Sequence, residues 1–123
     1  MTKEHLCSEK LPYSDVGEGV ALPGGSQLER VRQTFSLLGD SARLKIIFCL
    51  LGGEKCVCQI QQETDARQSV TSHHLNLLKK GRLVSSRREG KNIYYSLADE
   101  HISTILQNTY THVQEEDLHE TST

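Results

Sequence analysis

The sequence lacks the features that would place it in a membrane or outside the cell. Its 123 residues contain no apolar run long enough to span a bilayer, and its first ten residues, MTKEHLCSEK, lack the apolar stretch of a signal peptide. It has only two prolines, and we find no internal repeat or low-complexity tract. A chain of this size forms one small domain with a limited core. We therefore expect a cytoplasmic protein with no membrane partner.

Cysteine and charge usage narrow the function further. Disulfides are rare inside cells, so four cysteines predict functional thiolates or buried thiols rather than a disulfide framework. The formal net charge of -2 gives no overall indication of nucleic-acid binding. The distribution of charge along the chain does indicate nucleic-acid binding. Residues 67–91 carry seven basic side chains and one acidic side chain, whereas the C-terminal tail is acidic.

The chain is predicted to have three parts. Residues 1–25 hold both prolines and no helical period, which predicts a flexible arm. Residues 26–118 are predicted to form the folded domain, and residues 119–123 a tail. Ser26 is the expected cap of the first helix.

The next helices predict a helix-turn-helix. Asp40 or Ser41 is expected to cap an apolar second helix, which Gly52-Gly53 ends. A third helix is predicted from about Cys56 to Thr64, followed by a turn at Asp65-Ala66. A fourth is predicted from Gln68 or Ser69 to Lys80.

The fourth helix has one apolar and one polar side. We expect Val70, Leu77 and Leu78 to face the core. The opposite side is polar but almost uncharged, which suits hydrogen bonding to base edges in the major groove of operator DNA. Its residues are Gln68, Ser69, Ser72, His73 and Asn76.

A β-hairpin follows this helix. The segments LVSSRR and KNIYYSL are rich in β-branched and aromatic residues, and Glu89-Gly90 separates them. Arg87, Arg88 and Lys91 lie at the predicted tip, where they would contact DNA phosphate. The fold class is therefore mainly α with a β-hairpin wing, a winged helix-turn-helix.

The closing helix is predicted from Asp99 to Leu118. Its apolar stripe has i, i+3, i+4, i+7 spacing and needs a partner, so we expect a homodimer built on the first and last helices. Such a dimer would present two recognition helices about 34 Å apart to a palindromic site. The stripe contains Ile102, Ile105, Leu106, Thr109 and Val113.

Good metal ligands lie at both ends of this closing helix. His101 and His112 are eleven residues apart, so they share a face but lie roughly 16 Å apart, too far for one zinc ion. Asp99 can join His101 only from the helix entrance, whereas Glu115 is an i+3 neighbour of His112. An antiparallel second copy would bring Asp99/His101 of one chain to His112/Glu115 of the other. Each of two such sites offers two nitrogens and two carboxylates, which suits zinc or cobalt.

The segment KCVC provides a second candidate site. Thiolates at Cys56 and Cys58 can chelate a soft ion where the backbone is not helical. Cys7, in the arm, could complete a three-thiolate site for cadmium, lead, bismuth or arsenite. Cys49 lies among apolar residues, and we expect it to be a small buried hydrophobe.

Four segments resemble the ArsR/SmtB family of metal-sensing winged-helix repressors: the CVC box, SVTSHHLNLLKKGRLV, REGKNIYYSL and the terminal DEH…HVQE. The resemblance covers about residues 27–116. DEH…HVQE is similar to the family's C-terminal-helix metal site, which is shared between subunits. The resemblance implies a repressor that leaves its operator when metal binds, releasing an efflux or sequestration gene.

The CVC box is similar to the thiolate site of cadmium/lead sensors of the CadC type and of arsenite sensors. In CadC-like proteins the arm supplies two cysteines. Here Cys7 matches one, while Leu11 stands at about the place of the other. The resemblance thus implies three thiolates, with His5 or water as a possible fourth ligand.

Two rival functions use the same residues. A thiol redox sensor would form a disulfide or polysulfide at Cys56, Cys58 or Cys7, but it has no use for the terminal carboxylates. A hydrolytic metalloenzyme would need an open coordination position that a four-ligand site lacks. The sequence therefore favours a metal-responsive repressor that is not an enzyme.

Overall fold

The structure, a computed structural model, describes the backbone of residues 21–122 and the side chains of residues 21–118. The chain divides into two compact units with a boundary after Arg32. No helix within the described residues is long and apolar enough to cross a membrane. The elements are α1 (Gly25–Leu38), α2 (Ser41–Leu51), β1 (Lys55–Cys56), α3 (Val57–Thr64), α4 (Gln68–Lys80), β2 (Val84–Glu89), β3 (Asn92–Leu97) and α5 (Glu100–Ser122).

In the first unit, α1 begins two residues earlier than predicted. Residues 21–24 lie in no helix or strand, and the Leu28 N–H donates to the Gly24 carbonyl oxygen at 2.8 Å. Gly24 therefore takes the capping position expected for Ser26, because glycine is tolerated there. The rest of the predicted arm, residues 1–20, lies outside the described residues.

In the second unit, α2 is the predicted core helix. The Asp40 carboxylate caps it by accepting the Arg43 N–H at 3.1 Å, and Gly52 ends it. Gly53 then takes a φ of 126°, which a side chain would oppose. The core of this unit contains Leu38, Ile46, Ile47, Leu50, Ile60, Leu75, Leu78, Leu83, Val84, Ile102 and Leu106.

The predicted helix-turn-helix is confirmed as α3 and α4. Gln59 Oε1 accepts the Cys56 N–H at 3.0 Å, which fixes the start of α3 one residue after the predicted start. Asp65 ends α3 in the left-handed conformation, with a φ of 55°, and its N–H donates to the Gln61 carbonyl oxygen at 2.8 Å. This tight turn sets the angle at which α4 leaves.

The predicted apolar side of α4 is partly wrong. Thr71, Leu75 and Leu78 are buried, while Val70 is 43% exposed. Residues 71, 75 and 78 share one helix face, and turning that face inward carries residue 70 toward solvent. The inward turn of this face leaves the opposite, polar side of α4 outward.

The hairpin gains a third strand that the sequence analysis did not predict. The antiparallel sheet has the order β1-β3-β2, with Lys55 opposite Tyr95 and Cys56 opposite Tyr94. β2 runs one residue further than expected, because Glu89 pairs with Asn92. The turn is therefore residues 90–91, with Gly90 at a φ of 64°. Residue 56 thus belongs to the sheet of the wing.

α5 begins at Glu100, one residue later than predicted, and extends four residues beyond the predicted end, to Ser122. Asp99 stands just before it and accepts the Ile102 N–H at 3.2 Å. Neither glycine nor proline occurs in residues 119–122, assigned to the tail, so nothing there ends the helix. Ile102 and Leu106 are buried in the core described above. Other apolar residues of α5 are exposed: Ile105, Tyr110, Val113 and Leu118.

Candidate DNA-binding surface and metal-ligand pairs

The polar side of α4 is accessible over its whole length. Gln68, Ser69, His73 and Asn76 are exposed, and Ser72 is half-buried. The burial of Leu75 behind them holds this face outward. An exposed helix face of hydroxyl, amide and imidazole groups, backed by an apolar anchor, is what a recognition helix presents to base edges.

The three predicted phosphate contacts of the wing differ in their surroundings. Arg88 and Lys91 are exposed, and neither has a carboxylate partner among the described side chains. Arg87 is engaged: its Nε lies 2.6 Å from Glu54 Oε2 and its Nη1 2.8 Å from Glu89 Oε1. These bonds raise the pKa of Arg87, and the guanidinium lowers the pKa of the Glu54 carboxyl.

The first ligand pair of α5 forms at the helix entrance. Asp99 Oδ1 lies 3.5 Å from His101 Nδ1, so the two converge because Asp99 precedes the regular helix, as predicted. Their side chains are 51% and 90% exposed. No third ligand joins the pair within residues 21–118.

The second pair differs from the sequence expectation. His112 Nε2 lies 3.4 Å from Glu116 Oε2, one helical turn away. Glu115, the predicted ligand, is exposed, and it pairs with neither histidine within residues 21–118. Both carboxylates follow His112 at helical-neighbour spacing, so either can reach an ion held by that imidazole.

The thiolate pair lies where strand β1 becomes helix α3. Cys56 has an extended backbone, with φ -86° and ψ 169°, so the non-helical conformation required for chelation is present. Both thiols are free, with Cys56 half-buried and Cys58 exposed. The predicted third ligand, Cys7, lies outside the described residues.

Both donor sets fit a metal chemically, but each supplies only two converging ligands within residues 21–118. No group of three or more histidine, cysteine and carboxylate side chains converges among the side chains that the structure describes. Imidazole with carboxylate suits zinc, and a thiolate pair suits softer ions. Each candidate site is therefore represented among the described residues by two of its proposed ligands.

Comparison with known proteins assigns the family. The family model described as bacterial regulatory protein, arsR family, matches residues 40–86. A transcriptional repressor SmtB homolog from Synechocystis is 38% identical over 91 residues, covering 74% of this chain and 69% of that protein. The chain belongs to the ArsR family. A cadmium resistance transcriptional regulatory protein CadC homolog from Staphylococcus aureus is 40% identical over 86 residues, covering 69% and 71%.

A solved structure of similar fold agrees with this assignment. A homodimeric winged helix-turn-helix DNA-binding domain from Mycobacterium bovis, from a possible ArsR-family regulator, matches with a TM-score of 0.74 and 29% identity. The match covers 84% of this chain and 95% of that one. The predicted fold class is confirmed. ArsR-family members are DNA-binding transcriptional regulators, so the chain is a regulator and not an enzyme.

Cys49 is less simply buried in this ArsR-family chain than the sequence suggested. It packs against the core but is only half-buried, and its Sγ donates to Glu63 Oε1 at 3.0 Å. Lys55 Nζ lies 2.7 Å from the same oxygen and donates to the Cys49 sulfur at 3.8 Å. Burial, and then the bond to Glu63, raises the pKa of Cys49 to about 11. This thiol is therefore neutral, unlike a metal-binding thiolate.

Glu54 and Tyr94 are the residues near these sites that sequence reasoning missed. Glu54 pairs with Arg87 across 33 residues, and Arg87 Cζ lies 4.9 Å from the centroid of the Tyr94 ring. No local motif predicts a contact between such distant positions. The one available signal was the two-residue spacing from Glu54 to Cys56, which puts both on one side of an extended chain.

Proposed function

We propose that this ArsR-family protein is a homodimeric, metal-responsive transcriptional repressor. Its apo dimer binds operator DNA. Binding of an ion of the zinc, cadmium or lead class makes the dimer leave the operator, which allows expression of a metal efflux or sequestration gene. The cytoplasm is the proposed location, because operator DNA lies there. The observation that carries the proposal is the presence, in one chain, of an accessible recognition face and two separate ligand pairs.

DNA binding divides between the two surfaces of the domain. The polar face of α4 supplies base contacts through Gln68, Ser69, Ser72, His73 and Asn76. Arg88 and Lys91 supply phosphate contacts from the wing, since no carboxylate neutralises them among the described side chains. Phosphate contacts position the protein without reading sequence. Their removal should therefore weaken binding to every DNA sequence.

The two ligand pairs favour different ions. Asp99 and His101 of one protomer, with His112 and Glu115 of its partner, would give zinc two nitrogens and two oxygens. Cys56 and Cys58, with Cys7 from the arm, would give cadmium or lead three sulfurs. The relative named for cadmium resistance supports a metal signal.

The homodimer is supported by the exposed apolar residues of α5. Ile105, Tyr110 and Val113 are 38%, 53% and 43% exposed, respectively, in one protomer, although their neighbours Ile102 and Leu106 are buried. A second copy would cover them, and the similar M. bovis domain is described as homodimeric. Such a dimer also joins the two halves of the terminal site.

A thiol redox sensor remains the second candidate. The observation that favours it is the pair of free thiols at Cys56 and Cys58, with no third ligand converging among the described residues. Intact-mass measurement of the purified protein, with and without a chelator and a reductant, separates the two. Loss of metal mass upon chelation supports the metal sensor, whereas a loss of two hydrogens that a reductant reverses supports the redox sensor.

The direct test is titration of the apo-protein–operator complex with zinc, cadmium and lead. Release of DNA by at least one ion at near-stoichiometric concentration is expected. DNA affinity that none of these ions changes would refute metal-dependent repression. Parallel salt titrations of Arg88→Ala and Lys91→Ala should each reduce the slope of log affinity against log salt by about 0.9.

A further inference from the structure

We propose that the Glu54–Arg87 ion pair links the Cys56/Cys58 thiolate pair to the wing, so that Arg87 positions the wing instead of binding DNA phosphate. The link deepens the proposed function and rests on it, because it explains how an ion at the cysteines weakens DNA binding. It assigns Arg87 a different role from Arg88 and Lys91.

The sheet register brings the two ends of the link together. Tyr94 of β3 is opposite Cys56 of β1 on one side and opposite Arg87 of β2 on the other. Side chains of directly opposed residues lie on the same face of a sheet. Cys56, Tyr94 and Arg87 therefore form one row across the wing, and the Arg87 guanidinium rests 4.9 Å from the Tyr94 ring centroid.

The ion pair connects Arg87, at one end of this row, to the segment that precedes Cys56, at the other end. Arg87 donates twice to Glu54, from Nε at 2.6 Å and from Nη2 at 2.8 Å. Glu54 lies two residues before Cys56, on the short segment that enters β1. A two-bond arginine–carboxylate pair has a fixed orientation, unlike a single contact. It therefore ties the segment bearing the thiolate to the strand bearing the wing cations.

Arg87 is also poorly placed to serve as a phosphate contact. Its guanidinium donates to two carboxylates, those of Glu54 and Glu89, and stacks near an aromatic ring. A phosphate could bind it only by displacing these bonds. Arg88, the next residue, faces away from this row because neighbouring strand residues alternate, and it remains exposed.

An ion at the thiolates would act on this link. One ion shared by Cys56 in β1 and Cys58 in the first turn of α3 would fix the two sulfurs relative to each other and so constrain the junction between the strand and the helix. Through Glu54 and its ion pair with Arg87, that constraint would reach β2. By this route, metal alters DNA affinity only if it favours one wing position over the other.

The experiment uses full-length protein, operator DNA and cadmium ions. The measured quantity is the ratio of DNA dissociation constants with and without cadmium, so changes in basal affinity cancel. We expect a ratio of about 5 to 150 for the wild type, a typical range for coupling between sites. Glu54→Gln and Arg87→Gln should each reduce it to below about threefold, and the double variant should show no further loss.

Glu89→Gln is the matched control. It removes the same charge beside Arg87 but leaves the bond to Glu54, and because Glu89 and Arg87 share β2, their pair connects nothing to β1. It should keep the wild-type ratio. Thiolate-to-cadmium absorbance must remain in all variants, and circular dichroism must show that they fold. Wild-type ratios in both folded Glu54→Gln and Arg87→Gln would overturn the link.

Two further measurements test the role of Arg87 independently of cadmium-induced DNA release. In the salt titration, Arg87→Gln should leave the slope unchanged, whereas Arg88→Gln should reduce it by about 0.9; equal reductions would overturn the role assigned to Arg87. If cadmium binds wild-type protein without releasing DNA, cadmium-dependent release fails. The link is then judged by the Arg87 Nε–H nuclear magnetic resonance signal, which should shift when cadmium binds; an unmoved signal overturns the link.

Discussion

The junction of β1 and α3 and the helix α5 differ in how firmly one protomer holds its candidate ligands. Around the junction, Cys56 lies in a sheet, Gln59 bonds its backbone, and Glu54 binds the wing. On α5, the side chains of His101 and His112 are 90% and 70% exposed, and each contacts one carboxylate of its own helix or its entrance. The first region is built into a single protomer, whereas each histidine of the second has one carboxylate contact and no third ligand among the described side chains.

This difference indicates two routes by which an ion can control one DNA-binding surface. In the proposed function, an ion at the thiolates would act inside the protomer, through strand β1, which pairs with the wing. An ion on α5 would act between protomers, because its proposed ligands come from two chains, and it would fix the angle between the two recognition helices. Both proposed routes lead to the position of α4 and the wing on DNA.

Disrupting the dimer should produce the largest difference between metal binding at α5 and metal binding at the junction of β1 and α3. Val113→Glu places a charge in the exposed apolar stripe, where a partner would have to bury it without compensation. We expect a monomer by sedimentation, loss of zinc binding at the α5 site, and operator affinity reduced by about a thousandfold or more, toward nonspecific binding. Cadmium binding through Cys56 and Cys58 should persist.

Thr104→Glu is the control for this change. Thr104 is exposed and lies nine residues before Val113, about half a turn around the helix, so the same charge points away from the stripe. It should leave the dimer intact. A dimeric Val113→Glu protein with normal zinc binding would show that α5 does not form the subunit interface.

Either Glu115 or Glu116 would join His112 in the proposed zinc site on α5. Glu115→Gln should lower zinc affinity about tenfold or more, because it removes an ionised ligand, and Glu116→Gln should change it little. Isothermal titration of zinc into each variant measures both. The reverse result would show that the His112–Glu116 contact of the single protomer is already the arrangement that binds metal.

The smallest expected effect concerns Cys49, the cysteine excluded from the ligand set. Its pKa of about 11, against an ordinary 9.0, keeps about a hundredfold less thiolate at neutral pH. Alkylation of Cys49, followed by mass spectrometry, should therefore be slow and should accelerate up to about pH 11. Because the folded-state pKa is raised, the stability that this thiol contributes is complete below about pH 9 and is lost between 9 and 11.

A Cys49→Ser protein identifies the slow thiol by its disappearance. Rapid modification of Cys49 near pH 8, in a protein that circular dichroism shows to be folded, would contradict the neutral thiol and return Cys49 to the candidate ligands.

Local rules account for what the sequence predicted well. The Asp40 cap and the Gly52 end of α2 each depend on a few neighbouring residues, and each is confirmed. The polar face of α4 was identified as well, because only its inward neighbours had to be apolar. The outward polar face of α4 could thus be predicted from the amino-acid sequence alone.

Nonlocal pairing accounts for what the sequence did not predict. Lys55 and Cys56 form a strand only because β3 lies beside them, and Glu54 meets Arg87 only because the hairpin folds back. The choice of Thr71 over Val70 as the buried residue likewise depends on how α4 packs, and hydrophobicity alone favoured the wrong one. Tertiary packing overrides local preference in these cases.

We propose that one repressor carries two metal sites with separate routes to the same DNA surface. The decisive measurement is release of operator DNA by zinc and by lead from wild-type, His112→Ala and Cys58→Ser proteins, followed by fluorescence anisotropy. His112→Ala should abolish zinc-induced release and largely keep lead-induced release, and Cys58→Ser should do the reverse. If His112→Ala and Asp99→Ala leave the zinc response unchanged while Cys58→Ser removes every response, the two sites do not provide separate routes.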